Sequence, residues 1–241
     1  GGSKSFIENM KHNYLGNWKR RGKYLIGSLH TKEKNSSGFL VVHLRMTGQF
    51  KLIDKQIPPC KHTRVRFFEG RDKELRFIDI RTFGQMWFVP PSKSIEDIVS
   101  GIKRLGPEPF SSAFNSSYLE EFFKKKTRSI KSALLDQKTV AGVGNIYADE
   151  TLFDAGINPK TKSKSLKSSE LKKLCNSLVK ILKISIGEGG TTFSDFRDLE
   201  GINGNYGGQA WVYRRSGKSC KKCGVIILRE KICGRSTHWC P

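Results

Sequence analysis

Between about Lys23 and Pro90, apolar and polar residues alternate in short runs: KYLIGSLH, GFLVVHLRMTGQFKLI, TRVRFFE, ELRFIDI and QMWFVP, bounded by Gly, Asp, Asn or Pro. A two-residue period turns one side of each run inward, so these stretches predict an antiparallel β domain. After GPEPF the period lengthens. SSYLEEFFKKK, SIKSALLDQ, IYADETLFDAG and SSELKKLCNSLVKILKISIGEGG carry apolar residues at helical spacing, with Gly156 and Gly187 as expected stops. They predict an α domain of four or more helices. GGTTFSDFRDLEGINGNYGG, at 189–208, is too rich in Gly, Asp and Asn for a regular element and reads as a long exposed loop. From WVYRRSGKSC onward a short β-rich tail completes an α+β, multidomain pattern: a β-rich part over 1–108, a helical part over 109–210 and a tail over 211–241.

Charge narrows what such a chain does. Its 44 Lys and Arg against 22 Asp and Glu give +22, a self-repulsion that a polyanionic partner relieves, and nucleic acid is the partner this predicts. An anionic membrane surface fits less well, because the basic residues are spread along the chain and do not gather on one amphipathic helix. No run approaches the roughly 18 apolar residues of a membrane span, and the first residues do not resemble a secretion signal. The expectation is a soluble intracellular protein, cytoplasmic or organellar, acting as a monomer.

Four of the six cysteines fall in the end, CKKCGVIILREKICGRSTHWCP, and three of them, Cys220, Cys223 and Cys240, have a metal-like spacing. Cys220 and Cys223 have the spacing that lets two thiolates meet one ion, and two short strands joined by a turn would bring Cys240 back to them. So small a tail lacks a core of its own, and one structural Zn2+ would supply its folding energy. The fourth ligand is open between Cys233, His238 and a cysteine beyond Pro241; neither internal spacing is the usual one, which favours the last. Cys60 and Cys175 read as structural residues.

AGVGNIYADETLFDAGINP sets a Gly-rich turn before an apolar helix, so Gly142, Gly144 and Asn145 would stand at a helix N-terminus. That end favours an anion, in a basic protein most simply a DNA phosphate.

GVGNIYADETLFDAGINP, HLRMTG, DIRTFG, LGPEPF, EGGTT and the terminal CxxC-GR-S-T-HWCP, in that register over essentially the whole chain, resemble the bacterial formamidopyrimidine-DNA glycosylase family. The resemblance implies an N-terminal antiparallel β-sandwich, a helix-two-turn-helix domain and a C-terminal β-hairpin zinc finger. It implies excision of oxidised purines, 8-oxoguanine and formamidopyrimidine, from double-stranded DNA, then strand elimination. By position, Met46, Arg81 and Phe83 match the residues that fill the gap left by an everted base and contact the orphaned cytosine, consistent with apolar wedges and a base-reading guanidinium. Taken alone, Met46 and Phe83 read as core residues. Asn145, Arg235 and Lys23 match phosphate contacts, with His43 and Lys131 as further candidates. Thr191, Thr192 and Tyr206 mark the family's lesion-recognition loop, which reads an extruded base with backbone groups.

The match stops at the first residues. The family's nucleophile is an N-terminal proline beside a glutamate, whose Schiff-base chemistry also breaks the strand. This sequence begins GGSKSFIENMKHNYLG, which matches a stretch some tens of residues into that first domain. The expectation is therefore an incomplete chain of a longer gene product, missing residues at both ends and not catalytic by that route itself. Lys23 is assigned a supporting place on the phosphate side, since phosphate keeps a lysine protonated and unreactive. Alternatives are a catalytically silent damage-binding relative, an endonuclease VIII type directed at pyrimidines, and an RNA-binding zinc-ribbon protein.

Overall fold

In the computed structural model, residues 2–69, 72–192 and 199–241 are described. The chain forms two compact units, Gly1–Arg104 with Thr192–Gly204, and Leu105–Thr191 with Asn205–Pro241.

The first unit opens with helix α1 (Ser3–Met10), followed by strands β1 (Tyr14–Arg21), β2 (Tyr24–His30), β3 (Ser36–His43), β4 (Gly48–Asp54), β5 (Thr63–Glu69), β6 (Lys73–Asp79) and β7 (Gln85–Val89), and by the single turns α2 (Ile95–Ile98) and α3 (Ser100–Lys103). A four-stranded antiparallel sheet, β1-β2-β3-β7, faces a three-stranded one, β4-β6-β5. Their shared core is Leu29, Leu40, Val42, Phe50 and Phe77. Val41 points to the other side of β3 and packs with Val89, Val99 and Ile102. A strand buried on both faces reads as a continuous apolar run, which is why FLVV does not alternate. Two elements lie before Lys23, where the alternating pattern begins. β1 is an edge strand with exposed Lys19 and Arg20, charges that blunt an edge and hide its period; α1 leans only Phe6 and Met10 on the core.

The second unit contains α4 (Ser116–Phe123), α5 (Ile130–Leu135), α6 (Asn145–Ala155), α7 (Ser168–Gly187) and the single turn α8 (Tyr206–Gln209), then the hairpin β8 (Leu228–Ile232) and β9 (Arg235–Trp239). All four helical segments read from the periodicity are present. Asn115 caps α4 by accepting from the Tyr118 N–H at 2.9 Å, and Gly156 ends α6 with φ of 68°. α7 includes Gly187, and the left-handed residues are the next glycines, Gly189 and Gly190. Leu119, Phe123, Ile130, Leu134, Leu152, Leu171, Leu174 and Leu178 form the core, and Cys175 packs with them. α6 is buried all round from Ala148 to Leu152, so Asp149, Glu150 and Thr151 face the interior.

The expected loop at 189–208 is in part regular: Thr191 bridges Asn205, and α8 begins at Tyr206. Its residues 193–198 lie outside the described ones. Among the described residues no helix is long and apolar enough to cross a membrane.

Candidate nucleic-acid interface and cysteine cluster

In the first unit, register sets the site. β3 pairs with β7 so that His43 lies opposite Gln85, and β4 pairs with β6 so that Gly48 lies opposite Asp79. The two crossovers between sheets, 44–47 and 80–84, therefore run side by side, and these are the cores of HLRMTG and DIRTFG. They bring Met46, Arg81 and Phe83 together: Arg81 Nη1 lies 3.2 Å from Met46 Sδ, and its guanidinium carbon stands 5.0 Å from the Phe83 ring centre. Met46 is 67% exposed and Phe83 53%, so neither is a core residue.

His43, at the end of β3, sits edge-on to Tyr24, ring centres 4.7 Å apart, and its Nδ1 accepts the Arg45 N–H at 3.0 Å. Burial, then the charges of Arg45 and Lys23, pull its pKa down to about 4. The ring is therefore neutral with its hydrogen on Nε2, free to donate. Lys23 is exposed in the β1–β2 turn beside Gly22. Sequence reasoning passed over Arg45, which is exposed and donates to Gln85 Oε1 at 2.7 Å. It also passed over Asp79, a buried carboxylate beneath the second crossover.

In the second unit, the turn before α6 is held by Gln137, whose Oε1 accepts from Gly142 N and whose Nε2 donates to Val143 O. Gly144 is the N-cap, and Asn145 is the first helical residue. The Asn145 amide reaches the Ser236 carbonyl at 2.9 Å, which leaves its second hydrogen for another acceptor. Exposed Arg235, next to Ser236, thus stands beside a helix end whose first N–H groups lack intrahelical partners. Arg229, from the facing strand, donates to Ser236 Oγ at 2.7 Å and adds a cation that the spacing did not single out.

Lys131 requires a correction. It is fully buried, its ammonium paired with Asp149 and 3.3 Å from the Ser236 carbonyl. Burial lowers its pKa, against the pull of Asp149. It is enclosed away from any phosphate and instead ties α5 to α6 and to the hairpin.

Both ends of the 189–208 segment attach to α6. Thr191 Oγ1 lies 3.0 Å from the Tyr147 hydroxyl, which also meets Ser185 Oγ at 2.7 Å. Tyr206 donates to Glu150 at 3.2 Å, and burial, then Glu150, raises its phenol pKa. Thr192 Oγ1 accepts from Gly204 N at 2.8 Å. Each of these hydroxyls is thus engaged with a neighbour in the fold.

The sulfurs of Cys220, Cys223 and Cys240 lie within 4.8 Å of one another. Sulfurs around one tetrahedral Zn2+ stand about 3.8 Å apart, so the three fit a metal site. Burial opposes ionisation of Cys220, but N–H bonds from Lys222 and Cys223 bring it down to about 7; burial and the neighbouring sulfurs hold Cys240 up at about 12. Neither internal candidate closes the set. Cys233 is exposed in the hairpin turn, and the buried His238 ring faces Asp149 at 3.4 Å and Tyr213. Cys60, read as structural, is an exposed thiol, 3.5 Å from Thr63 Oγ1.

Residues 105–197 match the formamidopyrimidine-DNA glycosylase H2TH domain, and residues 1–86 match the N-terminal domain of the same glycosylases. The helical unit is thus of the helix-two-turn-helix class. The formamidopyrimidine-DNA glycosylase of Prochlorococcus marinus strain NATL1A is 83% identical over all of this chain and 86% of its own length, and that of strain MIT 9211 is 60% identical over the same shares. A solved complex of Lactococcus lactis Fpg with abasic-site DNA superposes with a TM-score of 0.89 at 32% identity, over 100% of this chain and 85% of that one. MutM of Thermus thermophilus gives 0.86 at 37%, over 97% and 84%. The chain belongs to the formamidopyrimidine-DNA glycosylase family.

Proposed function

We propose that this protein acts in base-excision repair as a DNA glycosylase on oxidised bases in duplex DNA, with 8-oxoguanine and formamidopyrimidine as preferred lesions and strand elimination at the abasic site. The observation that carries the reading is the exposed Met46, Arg81 and Phe83 cluster. Two exposed apolar side chains, one on each crossover, have no use for solvent, but they replace stacking when a base leaves the helix, and the guanidinium beside them meets the edge of the base left behind. Solved relatives hold DNA with Fapy-dG, an abasic site or an oxidised pyrimidine.

Asn145, the α6 N-terminus and Arg235 grip phosphate on the second unit; Lys23 and the His43 Nε2 hydrogen do so on the first. Cys220, Cys223 and Cys240 would hold a structural Zn2+, which would fix the hairpin bearing Arg235. Lesion contacts come from backbone of the 189–208 segment. Glycosidic bond cleavage and elimination on one enzyme require a neutral amine at the sugar C1′.

Borohydride trapping of the full-length gene product on an 8-oxoguanine:cytosine duplex, with mass mapping of the adduct, tests the chemistry. A cross-link to an N-terminal proline is the expected result. Tight binding without any cross-link would mean a damage-binding protein with no chemistry.

A further inference from the structure

The two crossovers that carry Met46, Arg81 and Phe83 are short, exposed and strained. Each contains a non-glycine residue in the left-handed region, Arg45 at φ of 57° and Thr82 at 58°. Such conformations persist only where surrounding bonds over-determine them. Arg45 is held by its N–H bond to His43. The bonds around Thr82 converge on one carboxylate. Asp79 Oδ1 accepts the Thr47 hydroxyl and the Arg81 N–H, the latter at 3.3 Å; Oδ2 accepts Gly84 N–H at 2.7 Å. Thr47 Oγ1 in turn accepts the Arg81 N–H at 3.1 Å, and Arg64 Nε donates to the Asp79 carbonyl at 2.9 Å. The glycine of DIRTFG has its reason here: a Cβ on Gly84 would stand 2.4 Å from Phe77 Cζ and 3.0 Å from Asp79 Oδ2.

We propose that Thr47 and Asp79 are positioning residues for opposite-base recognition, a clip that locks the Met46 crossover to the Arg81–Phe83 crossover so that wedge and guanidinium enter DNA as one preset unit. Thr47 is the neighbour of Met46, and Asp79 lies two residues before Arg81, so their one side-chain bond joins the two strands of the cluster at its base. Both are buried, with Thr47 8% and Asp79 1% exposed, so neither touches DNA. Burial works against the Asp79 charge, yet the bonds from Thr47, Gly84, Arg81 and Thr82 hold its carboxyl below the usual range, so it stays an acceptor on all sides at working pH. Loss of the Thr47 hydroxyl removes its bond to the Asp79 carboxylate and the Arg81 N–H bond to Thr47 Oγ1, while the Arg81 and Gly84 N–H bonds to Asp79 remain; the crossovers then move independently.

This rests on the proposed glycosylase reading, and the test separates the two. In the full-length gene product, the ratio of 8-oxoguanine excision opposite cytosine to that opposite adenine is measured for wild type, Arg81→Ala, Thr47→Val, Thr47→Ser and Asp79→Asn, beside affinity for undamaged duplex and its salt dependence. Thr47→Val and Asp79→Asn are expected to lower the ratio about tenfold, as loss of one buried hydrogen bond would, with undamaged-duplex affinity within about twofold, and Thr47→Ser to restore it. A wild-type ratio in Thr47→Val while Arg81→Ala loses discrimination overturns the clip alone. Equal losses on damaged and undamaged duplex also overturn it, since that is what a merely unstable fold gives. A wild type without excision overturns both readings.

Discussion

Protonation of a single ring decides what the His43 side chain can offer. Its Nδ1 is taken by the Arg45 N–H, so a proton gained on acidification would break that bond and place a cation beside Arg45 and Lys23. The folded pKa is about 4, against about 6.5 in an unfolded chain. As pH falls, the unfolded state takes up the proton first. The stability this ring contributes is therefore complete above about pH 6.5 and is lost progressively between there and the folded pKa. Ring 15N NMR of DNA-free protein is expected to show the neutral Nε2–H tautomer from pH 8 to 5, with protonation only near 4; a midpoint near 6.5 would refute the assignment. HLRMTG marks the histidine as a candidate but cannot show its tautomer. That depends on Tyr24, two strands' register and a left-handed Arg45, none of which is written locally.

One element, α6, illustrates what periodicity reveals and what it conceals. Its existence and both ends were legible, from GVG before it and Gly156 after it, because caps and stops are local chemistry. The work of its polar residues was not, since a helix buried all round carries no polar face to mark inward from outward. Asp149 accepts the His238 N–H at 2.9 Å, and Glu150 accepts three successive backbone N–H groups, Trp211, Val212 and Tyr213, at 2.8 to 2.9 Å. Those partners lie some sixty to ninety residues downstream, beyond any window that spacing can read. Two adjacent carboxylates thus hold the tail to the helical unit. Glu150→Ala strands three N–H groups and the Tyr206 hydroxyl, and at about 1–3 kcal/mol for each unsatisfied group it should cost at least about 3 kcal/mol. Urea unfolding of Glu150→Ala and Glu150→Gln checks this: alanine should shift the midpoint far more than glutamine, which keeps one acceptor. Equal shifts would mean that the charge, and not the acceptor count, holds the segment.

For the whole molecule, net charge of +22 pointed correctly to nucleic acid as partner, but composition does not say which cations meet it. Arg76 and Lys131 are buried against Glu74 and Asp149, and Arg128 pairs with Asp136 at 2.7 Å, so these serve the fold. Arg235, proposed above as a phosphate contact, is exposed at the start of β9, and its place depends on what holds the hairpin. Two anchors do so: α6, through Asn145 and Asp149, and the three cysteines, whose local core is only Val212, Cys220 and Ile227 with partly buried neighbours. With so small a core, the proposed metal at the three cysteines would supply much of what closes the tail. A mutant cycle on duplex affinity at two salt concentrations separates the anchors. Arg235→Ala should weaken binding on any duplex and lower the salt slope by about 0.9, one phosphate contact. Cys223→Ser, by releasing the metal, should do the same through a hairpin that no longer presents Arg235. The double variant should then bind no more weakly than the worse single, because the second change removes a contact already lost. Additive losses would show that α6 alone keeps Arg235 in place, and the metal would be left with a role in folding but none in holding DNA.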